Sequence, residues 1–338
     1  MTPLQQLSPE ASVVVIRLRS VGDAVLTTPA LRLLKAARPD LHVTVVMDEP
    51  LAGLLEGSPD VDRVLAVARG RTIDAVKSIR AEKPELCLNL HGGVSSAWMT
   101  LFSGAKLRVG YGHYPKSFVY NRRIPRAQEI LGLSQNAAVH TAEHHASAMF
   151  YLGVERSEIP PARLYAPSAQ RSERYAVLHV AATYHTKAWP IKRYVRLAEA
   201  MQVEMGIRPV IIAGPGADQL LGAFPRETET KANLSIEQMK SLIGGARLFV
   251  GNDSGPAHVA AAFGVPSVVL FGSSSSELWG PWRNRHEVVE TAWDCKPCPG
   301  DRCRAFEEPR CILSIERAEV EEAIRRVLGE KARPPLMQ

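Results

Sequence analysis

Short apolar, β-branched runs recur in the first half of the chain at residues 12–18, 41–47, 63–67 and 85–90, and turn residues or helix-spaced segments separate them. Runs of this length, alternating with helical spacing, predict βαβ units and a parallel sheet. A second series follows the same grammar at residues 175–180, 207–213, 247–250, 266–271 and 286–290. Between the two series, residues 155–174 are rich in Pro, Ser and charge, the composition of an exposed linker. The pattern therefore predicts an α/β protein of two Rossmann-like domains, residues 1–160 and 170–330, with parallel sheets facing a central cleft. A last helix is expected over residues 314–328, packing on either domain, and a frayed tail over 331–338.

In open parallel sheets ligands bind beyond the carboxyl ends of the strands, so the polar residues that follow each run are the site candidates. Four such joints stand out. The first, RLRSVGDAVLTTPAL (residues 17–31), turns at Gly22 and starts a helix near Asp23. Ser20-x-x-Asp23 matches a capping box, and the same carboxylate at the positive end of a helix is suited to act as a general base; the two roles are compatible. The second joint, LHVAATYHTKAWPIKRY (residues 178–194), places Thr183 and Lys187 after a strand. They offer a hydroxyl donor and a point charge for a phosphate, although a solvated lysine would look the same.

The third joint, AGPGAD (residues 213–218), has two glycines that let the backbone approach a ligand, and Asp218 is placed to cap a helix or bind a ribose hydroxyl; it falls short of a G-x-G-x-x-G fingerprint. The fourth, GNDSGPAHVAAAFG (residues 251–264), offers Asp253 or Ser254 as N-cap, Gly255, and Pro256 in the first helical turn. The free N–H groups at such a helix start form an anion site. His258 falls in the first turn, where a positive charge opposes the helix dipole, so a neutral ring or an adjacent phosphate is expected. Three of the four joints lie in the second domain, which suggests that it seats a nucleotide and its phosphates while the first domain offers a carboxylate.

Length and composition set the limits. The 338 residues, 46% of them hydrophobic, suffice for two packed cores. No stretch approaches the roughly 18 unbroken apolar residues of a membrane span, and the first residues lack the features of a signal peptide, so a cytoplasmic protein is expected. Lys plus Arg number 41 against 35 for Asp plus Glu, a net charge of +6. That excess suits nucleotides, acidic glycolipids, membrane surfaces or nucleic acid, or plain solubility. Four of the five cysteines, Cys295, Cys298, Cys303 and Cys311, crowd one short stretch, while Cys87 sits in an apolar run as a small core residue. In a reducing compartment the cluster is a set of thiols or a metal site rather than disulfides.

The segments RLRSVGDAVLTTPALRLLK, LHVAATYHTKAWP and GNDSGPAHVAAAFGVPSVVLFG, in this order and at these separations, resemble glycosyltransferase family 9, the ADP-heptose lipopolysaccharide heptosyltransferases of Gram-negative bacteria. The resemblance spans nearly the whole chain. It implies a GT-B fold and an inverting transfer of heptose from ADP-heptose to the inner core of a lipid A-linked saccharide. An N-terminal domain would bind the acceptor and a C-terminal domain the nucleotide sugar, with no nucleic-acid partner, at the cytoplasmic face of the inner membrane. On this resemblance Asp23 takes the place of the catalytic base, and Thr183 and Lys187 match donor phosphate contacts. Asp253, with Ser254, Gly255 and His258 of its loop, lies by the heptose hydroxyls, and Asp218 stands near an acidic ribose contact.

Arg122 and Arg123 are candidate contacts for the acidic acceptor. No D-x-D motif for a sugar-diphosphate metal occurs near the joints, so catalysis without a cofactor is expected. The four cysteines also occur in some family members, where thiolates are suited to clip the fold with zinc or iron. Two alternatives of other classes remain open on the sequence: a nucleotide-sugar epimerase of GT-B-like fold, and a non-catalytic nucleotide-sugar binding protein.

Overall fold

The computed structural model describes residues 1–166, 175–214 and 216–329; the tail at 331–338, the 167–174 part of the linker and Pro215 of the third joint lie outside these described residues. The chain divides into two compact units, Met1–Tyr165 and Ala166–Gln338.

The first unit holds strands β1 (Ser12–Ile16), β2 (His42–Asp48), β3 (Arg63–Val67), β4 (Leu86–Asn89), β5 (Leu107–Tyr111) and β6 (Arg122–Ile124). Its helices are α1 (Val21–Ala37), α2 (Thr72–Ala81), α3 (Val94–Leu101), α4 (Ala127–Leu131) and α5 (Thr141–Leu152). The sheet runs β3-β2-β1-β4-β5-β6, and every pairing in it is parallel. Val13, Val14, Val15 and Ile16 are fully buried, which is why β1 is an unbroken apolar run rather than an alternating one.

β5 and β6 were not among the predicted strands. Gly110 interrupts β5, and a Cβ there would stand 2.5 Å from the Tyr120 ring, so the glycine makes room for an aromatic side chain. β6 is a short sheet edge carrying two exposed arginines, a composition that guards an edge against pairing but shows no apolar period.

The second unit holds β7 (Tyr175–His179), β8 (Arg208–Ala213), β9 (Glu229–Ala232), β10 (Leu248–Asn252), β11 (Ser267–Phe271) and β12 (His286–Glu290), with α6 (Ile191–Val203), α7 (Ile236–Gly244), α8 (Gly255–Ala262), α9 (Ser276–Trp279), α10 (Arg310–Leu313) and α11 (Arg317–Leu328). Its parallel order is β12-β11-β10-β7-β8-β9. The charged edge strand β9, ETKA, was likewise not predicted. Trp189 meets Tyr194 edge to face at 4.8 Å in the centre of this core. The last helix, α11, buries Val320, Ala323, Ile324 and Val327 in the same core, so it belongs to the second unit.

Counted within its own unit, each sheet has the order 3-2-1-4-5-6. Each therefore has one topological switch point, between β1 and β4 and between β7 and β10, and the loops after those strands flank the crevice where such sheets take ligands.

Candidate active site

At the switch point of the second unit the fourth joint closes onto the second. The Nζ of Lys187 stands 2.7 Å from Oδ2 of Asp253, and the Ser274 hydroxyl donates to the same oxygen at 2.5 Å. Neither bond uses Oδ1. The Asp253 side chain is 7% exposed and that of Lys187 21%, so a charge pair is held here with little water around it.

Asn252 ties the two loops together: its Oδ1 accepts from the Trp189 N–H at 3.0 Å, and its Nδ2 donates to the carbonyls of Val180 and Ala181 at 3.3 Å. Ser254 is the residue before α8, and its hydroxyl lies 3.0 Å from Nδ1 of His179 rather than capping the helix. Burial holds that imidazole down at about 4, so His179 is neutral at physiological pH. Gly255 opens α8, and His258 is buried in its first turn.

Thr183 lies in an exposed bend after β7 and makes none of these bonds; Asp218 starts a 3-10 helix after β8, exposed and one strand away from β7. Neither residue is drawn into the Lys187–Asp253 pair. Ser274, His179, Asn252 and Trp189 were not singled out from the sequence. A signal for Ser274 existed: GSSSS (residues 272–276, after Phe271) is a fifth polar joint after a strand.

At the switch point of the first unit, the buried Arg17 guanidinium pairs with Oδ1 of Asp23 and donates to the Leu90 carbonyl at 2.5 Å. Ser20 reaches the other carboxylate oxygen twice, from its N–H at 3.3 Å and from its hydroxyl at 3.1 Å. The helix starts at Val21, two residues before the expected position, with Ser20 preceding it. Burial lowers Arg17 to about 10, still well above neutrality, so it remains a cation.

Beyond β4 the loop brings His91 to the same place, lowered to about 4 by burial and then by Arg17 and Arg19. Tyr111 and His144 stack at 4.1 Å, and Tyr114 lies tilted against both. Arg17 and His91 were overlooked in the sequence, although Arg17 stands at the very end of a strand and LHGG (residues 90–93) is a polar joint like the others. Arg122 and Arg123 lie on β6 at the sheet edge, with β4 and β5 between them and β1, and are not gathered with Asp23.

Cys295, Cys298, Cys303 and Cys311 all line one cavity of about 170 Å³, together with Thr186 and Ser273. The cavity adjoins the loops that carry Lys187 and Ser274: the Cys298 N–H donates to the Ser273 carbonyl at 2.9 Å, and the Thr186 hydroxyl meets that of Ser273 at 3.0 Å and the Gly300 carbonyl. Burial pushes the Cys311 thiol up. The donor set of four thiols fits a soft metal ion, while among the described residues no three ligating side chains are already drawn together around one point. Among the described residues, no helix is long and apolar enough to cross a membrane.

Residues 73–307 match the family model for glycosyltransferase family 9 (heptosyltransferase). The chain is 25% identical over 295 residues to lipopolysaccharide heptosyltransferase 3 of Escherichia coli, covering 78% of this chain and 83% of that one. Among solved structures, E. coli ADP-heptose lps heptosyltransferase II superposes with a TM-score of 0.77 at 21% identity, covering 94% of this chain and 98% of the other. E. coli heptosyltransferase WaaC with ADP-2-deoxy-2-fluoro heptose superposes with a TM-score of 0.70 at 21% identity, covering 93% and 99%.

Proposed function

The chain belongs to glycosyltransferase family 9, and from that premise we propose that it moves heptose from ADP-heptose to the inner core of lipopolysaccharide with inversion at the anomeric carbon. Membership makes it a glycosyltransferase and sets aside the epimerase and the non-catalytic binding protein. The observation that carries the finer reading is the Lys187–Asp253–Ser274 group at the switch point of the second unit, beside the start of α8. Lys187 supplies the charge that an ADP diphosphate needs, and the helix start supplies N–H donors. Oδ1 of Asp253, outside both bonds of the group, is left for a sugar hydroxyl. The solved WaaC relative was captured with an ADP-heptose analogue, which favours the same donor here.

In the reaction the acceptor oxygen attacks the anomeric carbon, its proton passes to the Asp23 carboxylate, and the bond from that carbon to the β-phosphate oxygen breaks with its electron pair leaving on ADP. Arg17 and Ser20 hold Asp23 in one rotamer, which keeps the base aimed. Lys187 and the N–H groups of α8 stabilise the leaving ADP, so the chemistry asks for no cofactor. Thr183 and Asp218 are secondary donor contacts in this reading, and Arg122 and Arg123 contacts to the acidic acceptor. The first unit is thus the acceptor-binding domain and the second the donor-binding domain, working peripherally at the cytoplasmic face of the inner membrane. Zinc or iron at the four cysteines would brace Thr186 and Ser273, and through them the neighbours Lys187 and Ser274, as a structural clip outside the chemistry.

Incubation with ADP-heptose and a panel of truncated lipopolysaccharide acceptors, followed by mass spectrometry, tests the proposal. A gain of one heptose on one acceptor is expected. ADP release that is indifferent to every acceptor would reject it.

A further inference from the structure

Val94 and Trp98 on α3 and Phe102 at its C-cap follow at a spacing of four, so their side chains lie along one side of the helix. All three are exposed, Trp98 at 36% and Phe102 at 52%, and the two rings stack with centroids 6.1 Å apart. Against α3 packs the 3-10 turn Ser117–Val119, whose Phe118 is 63% exposed. The inner side of the helix is closed by Ala97 with Val119 and Tyr120, so the outer aromatics are not what holds it in place. Large apolar side chains gathered on a surface mark a place where something else binds.

The segment that carries this ridge has charge of one sign, and on α2, which packs against α3, Asp74 is paired with Arg71. Residues 86–128 contain no Asp or Glu but hold Lys106, Arg108, Lys116, Arg122, Arg123 and Arg126. The Arg123 guanidinium donates to the Ser117 carbonyl at 3.2 Å and that of Arg108 to the Val119 carbonyl at 3.1 Å, so both lie against the turn that presents Phe118. Lys116 immediately precedes the same turn. Lys106 is within electrostatic reach of Glu85, at the other end of β5, and the Arg126 N–H donates to Glu129 at the start of α4.

We propose that the face formed by α3 and the turn at Ser117–Val119 docks the protein on an anionic lipid bilayer. Trp and Phe side chains settle at the boundary between headgroups and acyl chains, while Lys and Arg beside them meet lipid phosphates. A second copy of the chain is the poorer occupant, because a two-fold interface would set this cationic rim against itself. The inference deepens the peripheral location proposed above by naming the surface, and its test needs no transfer activity, so either reading can fail without the other.

The test is co-sedimentation of the full chain with vesicles of phosphatidylethanolamine and phosphatidylglycerol, with phosphatidylcholine vesicles as the neutral control. The protein should pellet with the anionic vesicles, release as salt is raised, and show a blue shift in emission that is lost in Trp98→Phe. The double variant Phe102→Ser/Phe118→Ser should lose about tenfold or more in partitioning while melting at the wild-type temperature. Equal partitioning of that variant, or no partitioning by the wild type, overturns the proposal. So does a wild-type dimer in solution that the double variant splits into monomers.

Discussion

The ammonium of Lys187 and the carboxylate of Asp253, 66 positions apart in sequence, lie 2.7 Å from each other at the switch point of the second unit. The two residues, proposed above for phosphate and for sugar hydroxyls, neutralise each other. On the proposed reading, losing Lys187 removes a phosphate contact; among the described residues it also leaves the buried Asp253 carboxylate with the Ser274 hydroxyl.

Lys187→Met is expected to raise the KM for the donor by about tenfold or more and to lower stability by about 1–3 kcal/mol. Adding Asp253→Asn should cost less than the sum of the two single changes, with a coupling of about 1 kcal/mol or more. Denaturant unfolding of the four members of the cycle measures it. Strict additivity would mean that the ion pair has no energetic weight.

Asp23→Asn keeps the shape of the group while removing its charge and its proton affinity. Turnover should fall by about 10²–10⁴-fold with little change in donor KM. Arg17→Met acts through Asp23: it frees the carboxylate from its buried partner, so kcat should fall while the donor KM stays near wild type, and Arg17→Lys should recover part of the loss. Normal turnover in Asp23→Asn would dismiss that residue as the base.

The buried imidazoles make stability depend on pH. His179 and His144 are both held at about 4 by burial, against an ordinary value near 6.5. Between those values the unfolded chain binds protons that the native state refuses, so stability is complete above about pH 6.5 and declines as the pH falls toward 4. The slope is about 1.4 kcal/mol per pH unit for each such histidine. His145, lowered well below its ordinary value, acts in the same direction. His179→Gln should remove about one proton from the slope between pH 6.5 and 5. Unfolding curves at several pH values decide this, and an unchanged slope would reject the assignment.

The cysteine cavity gives a prediction with a readout separate from activity. Protein loaded with zinc or ferrous ion should retain about one ion per chain and melt higher than the chelated form, because an ion that binds only the folded state stabilises it. Cys298→Ser and Cys303→Ser should abolish both effects. Equal melting of loaded and chelated protein would remove the clip.

What the sequence determined by itself is the architecture. Unbroken apolar runs such as SVVVI in β1 and SVVLF in β11 are strands buried on both faces, and their alternation with helices leaves few topologies other than two parallel sheets. The edge strands β6 and β9 stayed hidden because they carry charge and no apolar period. The joints after the strands were visible as polar insertions, and Asp23, Lys187 and Asp253 stood out there.

Only the tertiary structure decided which of these residues meet. Strand order puts the ends of β7 and β10 side by side, and so Lys187 finds Asp253; the same order leaves Asp218 and Arg122 outside the groups at the switch points. Arg17 became part of the site because a guanidinium at the end of a buried strand must find a carboxylate and a carbonyl to remain charged, and Asp23 and Leu90 provide them. A local sequence specifies the chemistry of each loop, whereas which loops share a crevice is a property of sheet order, set by contacts between residues far apart in the chain.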